Sequence, residues 1–221
     1  MTAPAFRLPR FYPIVNVADA GDAAIERAYR TAAHLAGCGV ALMQLRAKPL
    51  GGGAMTALAK RLVEAFGAGG VALIVNDRAD VAAASGAAGV HVGDEDLPVD
   101  AARRVLSAAG SASIVGYSTH SVAEAIAASS FDADYLGFGP VFDSPTKAGV
   151  RDARGLELLA EVCRMATLPV VAIGGITLET APLCWKAGAE SVAVISDLER
   201  VGDLRARVAE WQRSAREFSP E

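Results

Sequence analysis

VALIVNDRADVAAASGAAGVHVGDEDLP, residues Val71–Pro98, decides how the rest of the chain is read. Val71-Ala72-Leu73-Ile74-Val75 is an apolar run of a buried strand's length and composition. It stops at Asn76-Asp77-Arg78, and a short Ala-rich segment follows. A second run, Ala88-Gly89-Val90-His91-Val92, stops at Gly93-Asp94-Glu95-Asp96. Two successive strand ends therefore deliver acids to one rim. In a parallel α/β protein that rim is where ligands bind. Asp77 and Asp96 form the leading pair for a divalent cation, because Mg²⁺ shared with a phosphate takes a few hard oxygen ligands from the protein. Each acid alone has an ordinary alternative. Asp77 could pair with Arg78, and Asp96 could cap the helix that Pro98 starts. The pattern gains weight because other strand ends repeat it.

Outward from this stretch, strands and helices alternate. Phe11–Val17 reads as the first strand, with Pro13 awkward inside it. A helix over Ala20–Ala36 ends at Gly37 and Gly39, and Gly39–Leu45 is the second strand. It runs into Gln44-Leu45-Arg46-Ala47-Lys48, where alternation puts Gln44, Arg46 and Lys48 on one side. The loop Gly51-Gly52-Gly53 leads to a helix over Ala54–Phe66. Beyond the opening stretch come a helix over Pro98–Ala108, with Arg103 and Arg104 expected in solvent, and a strand over Ser113–Tyr117. A helix with capping-box spacing follows from Ser121. Asp134–Phe138 is the sixth strand, Gly155–Met165 a helix, and Leu168–Ile173 the seventh strand. Thr177–Ala187 is a helix despite Pro182, Ser191–Ile195 the eighth strand, and Leu198–Phe218 a closing amphipathic helix. Eight such alternations with short connections and no linker imply a parallel sheet closed on itself: a (β/α)8 TIM barrel, one domain over residues 11–221, preceded by an arm over residues 1–10.

Composition narrows the function classes. The 221 residues are 52% hydrophobic, enough for a large core, and only 6% aromatic. The net charge of -4 gives no bulk basic face for nucleic acid. Cys38, Cys163 and Cys184 are scattered, with no CxxC, which argues against a disulfide framework or a zinc site and for thiols in a reducing compartment. No apolar run reaches membrane-spanning length, and the first ten residues lack a signal core. The expectation is a cytoplasmic protein with no membrane or nucleic-acid partner. A homo-oligomer stays open.

The remaining strand ends carry anion chemistry. Gly174-Gly175 after strand seven and Ile195-Ser196 after strand eight can turn bare backbone N–H groups toward a phosphate, where barrels commonly bind one. A tight turn is the plain alternative for Gly174-Gly175. Ser144 and Thr146, stiffened by Pro145, can add hydroxyls. Arg46, Lys48 and Lys147 stand at strand ends facing a site that already holds two acids, which suggests a polyanion bridged to a metal. Two phosphate-handling zones follow, one with a metal and one without. That arrangement suits joining two phosphorylated substrates with diphosphate as the leaving group. His91, on an apolar strand, reads as packed or supporting rather than as a base, and His120 as a neighbour of a helix cap. His34 reads as a residue of the first helix.

QLRAK at Gln44–Lys48, VNDRAD at Val75–Asp80, GVHVGDEDLP at Gly89–Pro98, GYSTHS at Gly116–Ser121, DYLGFGPVFDSPTK at Asp134–Lys147, AIGGI at Ala172–Ile176 and GAESVAVIS at Gly188–Ser196 together resemble the thiamine-phosphate synthase family. Each motif is modest; the ordered set covers nearly the whole chain. The resemblance implies a barrel enzyme that joins a hydroxymethylpyrimidine diphosphate to a thiazole phosphate, giving thiamine phosphate and pyrophosphate. It implies that the QLRAK segment holds the pyrimidine diphosphate, through Gln44, Arg46 and Lys48 with Leu45 and Ala47 between them, together with Asn76, Ser118 and Lys147. Asp77 and Asp96 would bind Mg²⁺. Ser144, Pro145, Thr146, Gly175, Ile195 and Ser196 would hold the thiazole phosphate, and Arg46, Lys48, Ser118 and Lys147 would be catalytic. The chain departs from the family pattern in three places: Ser144 in place of the first Thr of Thr-x-Thr-Lys, Asp94 where Gln is usual, and Asn16 where strand one commonly ends in Thr-Asp.

Other readings are a thiazole tautomerase relative, which tends to lack the diphosphate and metal residues, and a non-catalytic binder of a thiamine-related phosphate. A sugar-phosphate isomerase barrel would leave the acid pair unexplained.

Overall fold

The computed structural model describes residues 7–110, 114–143 and 153–218. Eight parallel strands close into a barrel in sequence order: β1 (Phe11–Asn16), β2 (Leu42–Arg46), β3 (Ala72–Asn76), β4 (Gly89–Val92), β5 (Ile114–Thr119), β6 (Tyr135–Phe138), β7 (Val170–Ala172) and β8 (Ser191–Val194). Closure is made by β1 on β8, with Tyr12 opposite Ala193. The helices α1 (Asp22–Gly37), α2 (Gly52–Phe66), α3 (Ala79–Ser85), α4 (Val99–Ala108), α5 (Val122–Ala128), α6 (Gly155–Met165), α7 (Ala181–Lys186), α8 (Ser196–Glu199) and α9 (Leu204–Glu217) follow the strands. The expected (β/α)8 barrel is the fold observed.

Strand alternation sorts the apolar residues into two layers. Val15, Leu45, Val75, Val90, Leu136 and their like face outward and pack beneath the helices. Tyr12, Leu42, Ile74, Tyr135, Val171 and Ala193 fill the interior, joined by Leu8 from the arm. Each fully buried aliphatic side chain contributes roughly 1.5–3 kcal/mol relative to exposure. The arm is tied to the base of β8, where Arg10 Nη1 donates to the Ala189 carbonyl at 3.0 Å. Pro13 is accommodated because the ladder to β2 begins at Ile14, one residue past the nitrogen that has no hydrogen to give.

Several boundaries differ from the expected ones. The second strand begins at Leu42, not Gly39, because Gly39 belongs to the cap of α1. Its φ of +77° lets Gly39 N donate to Ala36 O and Val40 N to Leu35 O, a paired C-terminal closure. Helix α7 is shorter than expected: Thr177–Thr180 form a hydrogen-bonded turn, and Pro182 falls in the first helical turn, where a missing N–H costs nothing. The single closing helix expected over 198–218 is two helices. The chain breaks at Val201-Gly202, and Asp203 caps α9 by accepting from Ala206 N at 3.0 Å. Arg103 is a further correction. Its side chain is 19% exposed and pairs at 2.9 Å with both Asp132 and Asp134. Asp134 also accepts from Val115 N, so the cluster ties α4 to the β5–β6 junction. Only Arg104 is solvated, beside Asp100.

Candidate active site

The carboxyl mouth of the barrel opens on one cavity. Its lining includes Gln44 and Arg46 from β2, Asn76 at the end of β3, His91 from β4, Ser118 from β5, Gly174 and Gly175 after β7, and Ile195 and Ser196 after β8. Inward-facing positions two residues apart place Gln44 and Arg46 on one wall, as expected from alternation. Arg46 is held by a 2.9 Å hydrogen bond from its Nη1 to Asn16 Oδ1, and Asn16 Nδ2 donates in turn to Glu199 Oε1 at 3.3 Å. Asn16 thus braces the guanidinium and links strand one to α8.

The acid pair lies on the adjoining rim. Asp77 is in the left-handed region at φ 66°, with its N–H donated to the His91 carbonyl at 2.7 Å. That turn swings its carboxylate out to Lys48 Nζ, 3.0 Å away. Asp96 Oδ2 accepts from Gly93 N at 2.8 Å, and the Asp77 carboxyl group is close enough for its charge to act on Asp96. Burial first, and the Asp77 charge as well, raise the Asp96 carboxyl above its ordinary value, against the pull of Gly93 N–H and Lys48. Both ordinary alternatives fail. Arg78 pairs with Asp80 at 2.6 Å, not with Asp77, and α4 has no side-chain cap from Asp96. Asp94 is exposed.

Across the mouth, Gly174 and Gly175 adopt φ values of 89° and 66°. A Cβ at Gly175 would run into the carbonyl oxygens of Asp143 and Phe142, so only glycine carries the backbone through this point. Ser196 begins α8. The adjacent Asp197 is neutralised from behind by Arg207 at 2.7 Å, and it also accepts from Trp211 Nε1 at 2.7 Å. The negative charge beside this turn is thereby offset from within the protein.

Of the residues expected to bind substrate, Gln44, Arg46, Asn76, Ser118, Gly175, Ile195 and Ser196 line the cavity. Lys48, Asp77 and Asp96 stand beside it at the strand ends. Leu45 and Ala47 do not face it. Their side chains are buried in the outer core, 0% and 1% exposed, so any part they take is through the backbone. Ser144, Pro145, Thr146 and Lys147 lie outside the described residues. Tyr12 and Tyr135 were not expected at the site. Tyr12 could have been found from β1 alternation, since it shares a face with Ile14 and Asn16. His91 is the packed, supporting residue expected. It stacks on Tyr135 at 5.5 Å and bonds to Ser118. His120 is beside a cap, with Glu124 Oε2 accepting its N–H at 2.7 Å. His34 is exposed on α1.

A site of this kind at the carboxyl mouth of a closed parallel barrel places the chain among the (β/α)8-barrel enzymes. Residues 11–198 match the family model described as thiamine monophosphate synthase, and the chain belongs to that family. It is 43% identical over 176 residues to the thiamine-phosphate synthase of Anaeromyxobacter dehalogenans, spanning 80% of this chain and 78% of the relative. To the thiamine-phosphate synthase of Syntrophomonas wolfei it is 39% identical over 180 residues, 80% of this chain and 85% of the relative. The solved thiamine phosphate pyrophosphorylase from Pyrococcus furiosus superposes with a TM-score of 0.79 at 29% identity, covering 96% of this chain and 97% of that one. A 3-hexulose-6-phosphate synthase from Salmonella typhimurium, at 12% identity and a TM-score of 0.69, shares the fold alone, over 95% of this chain and 100% of its own.

Proposed function

We infer that the protein is a thiamine-phosphate synthase. It joins 4-amino-5-hydroxymethyl-2-methylpyrimidine diphosphate to 4-methyl-5-(2-phosphoethyl)thiazole and releases thiamine phosphate and pyrophosphate. The observation that carries this reading is the opposed pair of anion-handling zones around one cavity. One is Arg46 with the rim of Lys48, Asp77 and Asp96; the other is Gly174-Gly175 with Ile195-Ser196. Family membership supports the same substrates.

The reaction breaks the bond between the pyrimidine methylene carbon and the diphosphate oxygen, and the electron pair leaves with pyrophosphate. The thiazole nitrogen then donates its lone pair to the carbocation that the pyrimidine ring stabilises. This chemistry needs charge neutralisation and alignment more than a strong base. Arg46 and Lys48 supply positive charge to the diphosphate, with Asn76 and Ser118 as neutral hydrogen-bonding partners. The Gly175 and Ser196 backbones hold the thiazole phosphate and fix the distance between the reacting atoms. Lys147, Pro145 and the hydroxyls of Ser144 and Thr146 are assigned the same tasks by family motif.

The donor set fits Mg²⁺. Two adjacent carboxylates, one with a raised pKa, relieve their repulsion by sharing a cation, and among the described residues no third His, Cys, Asp or Glu completes a protein cage. Mg²⁺ typically keeps one or two carboxylates and takes its other oxygens from phosphate and water. When bound by Asp77 and Asp96, it would lower the charge on the diphosphate and make it a better leaving group. Three free thiols suit a cytoplasmic, reducing setting, and no described helix is long and apolar enough to cross a membrane.

The test is turnover of the purified protein with both substrates and Mg²⁺, following pyrophosphate release and thiamine phosphate formation. Asp77→Ala and Asp96→Ala should each lower kcat by about 100-fold or more at low Mg²⁺ with the fold intact. Full turnover by either variant at low Mg²⁺ removes that acid from the metal site. Isomerisation of the thiazole phosphate without condensation would mark a tautomerase, and binding without either reaction a sensor.

A further inference from the structure

Arg46 is aimed by a neutral side chain. Asn16 and Arg46 end neighbouring strands and stand opposite each other in the ladder between β1 and β2. Just beyond them, Val17 N donates to the Arg46 carbonyl at 2.8 Å. That register brings the two side chains together at the mouth, where Arg46 Nη1 donates to Asn16 Oδ1 at 2.9 Å. Nδ2 of the same amide donates to Glu199 Oε1 at 3.3 Å. Glu199 closes α8, and its N–H returns to the Ile195 carbonyl at 3.3 Å, on the turn that lines the cavity. Among the described residues no carboxylate pairs with Arg46. Lys48, on the adjoining rim, is paired with Asp77 at 3.0 Å.

A guanidinium only donates and a carboxylate only accepts. A side chain set between them must accept from one and donate to the other. An amide does this from separate atoms, and in one orientation alone. Turned over, its NH₂ would face the guanidinium and its oxygen the carboxylate. Glu199 therefore decides which end of Asn16 meets Arg46. A carboxylate at position 16 could also accept from Arg46, but it would face Glu199 as a like charge. It would also form a charge-assisted pair with the guanidinium, roughly twice as strong as a bond to a neutral oxygen, and a diphosphate would have to break that pair.

We propose that Asn16 is a positioning residue: its neutral amide, oriented by Glu199, holds the Arg46 guanidinium on the cavity wall with its positive charge left for the diphosphate. The proposal rests on the synthase reading for its substrate. Inorganic pyrophosphate, the product of that reaction, is a probe that needs no turnover.

Asn16→Asp changes the charge and hardly the size. Calorimetric titration with pyrophosphate and Mg²⁺ should show binding about tenfold weaker than in wild type, a change of about 1.4 kcal/mol. The variant's kcat/KM for the pyrimidine diphosphate should fall by a similar factor, with KM for the thiazole phosphate unchanged. The double variant Asn16→Asp, Glu199→Gln exchanges the amide and the carboxylate. The amide now on α8 donates to the carboxylate now on β1, so both hydrogen bonds and the wild-type Tm should return while pyrophosphate binding stays about tenfold weak. Wild-type binding in the double variant overturns the proposal, because geometry without neutrality would then suffice. Binding by Asn16→Asp within about twofold of wild type overturns it as well.

Glu199 is exposed, so its variants test the orienting contact without disturbing the core. Glu199→Ala should weaken pyrophosphate binding about threefold, and Glu199→Gln, which can still accept from Asn16, should restore it. An unchanged affinity in Glu199→Ala shows that the contact orients nothing and overturns the proposal. Weakened pyrophosphate binding in Asn16→Asp, alongside a wild type that joins no substrates, overturns the synthase reading alone. Normal condensation with insensitive pyrophosphate binding overturns only the role of Asn16.

Discussion

Lys48 Nζ lies 3.0 Å from Asp77 Oδ2, so the cation assigned to the diphosphate neutralises a carboxylate assigned to the metal. The Lys48 side chain is 57% exposed and Asp77 23%, so the pair is a rim contact that solvent screens. On the proposed function, this contact has to separate for Asp77 to take a metal and Lys48 the diphosphate. Lys48→Met should therefore tighten Mn²⁺ or Mg²⁺ binding to the substrate-free protein, by roughly fivefold for a pair worth about 1 kcal/mol. The same variant should raise KM for the pyrimidine diphosphate. Calorimetric metal titration and steady-state kinetics check the two signs; weaker metal binding in the variant would show that Lys48 does not compete for Asp77.

Gly175 passes between the backbone carbonyls of Asp143 and Phe142 at a positive φ of 66°. Gly175→Ala meets both a strained backbone and two carbonyl oxygens, so the turn after β7 must shift. A displacement of about 1 Å in a positioning element can cost about 100-fold. The expected result is a fall of that order in kcat/KM for the thiazole phosphate, with a smaller change in KM for the pyrimidine diphosphate, read from paired saturation curves.

Asp197 is 8% exposed at the side chain and holds Arg207 at 2.7 Å while accepting from Trp211 Nε1. Asp197→Ala leaves the Arg207 guanidinium, 19% exposed, without this partner beneath α8. Breaking a largely buried pair from one side costs about 3 kcal/mol, and a domain of this size should lose roughly 6–12 °C in Tm. The remaining neighbours Glu179 and Glu210 are more exposed, at 71% and 45%, and compensate only in part. Thermal unfolding of the variant checks the size, and an unchanged Tm would show that the pair contributes nothing.

Burial pushes the Cys163 thiol up to about 11, and burial with the Cys163 charge pushes Cys184 up to about 12. A group whose folded pKa is raised favours the native state below its unfolded value. That contribution is lost as pH rises, here from the ordinary thiol range near about 8.5 toward about 11. At pH 8 only about one Cys163 in a thousand is thiolate, so the native thiol should react with iodoacetamide far more slowly than it does in the unfolded chain. Labelling of Cys163 in the folded protein, followed site by site by peptide mapping, should quicken about tenfold per pH unit toward 11, as the thiolate fraction grows. Rapid labelling of Cys163 or Cys184 at pH 8 would contradict the assigned burial.

The amino-acid sequence by itself determined the alternation, the barrel and the polar strand ends. Period-two patterning, glycine caps and turn residues act within a few positions, and they exposed Asp77, Asp96, Gln44 and Arg46 before any contact was known. Boundaries slipped where local signals serve two elements, as at Gly39, which closes α1 instead of opening β2. Arg103 was misjudged because its charge partners, Asp132 and Asp134, sit on the next β/α unit. Tertiary structure alone decided that Asp77 meets Lys48 and not Arg78, that Leu45 and Ala47 face away from the cavity, and that Tyr12 meets Tyr135 across 123 residues. Such contacts depend on the register at which β1 closes on β8 and on the side of each strand that faces inward. Closure couples all eight strands at once, so no stretch of chain carries that information alone.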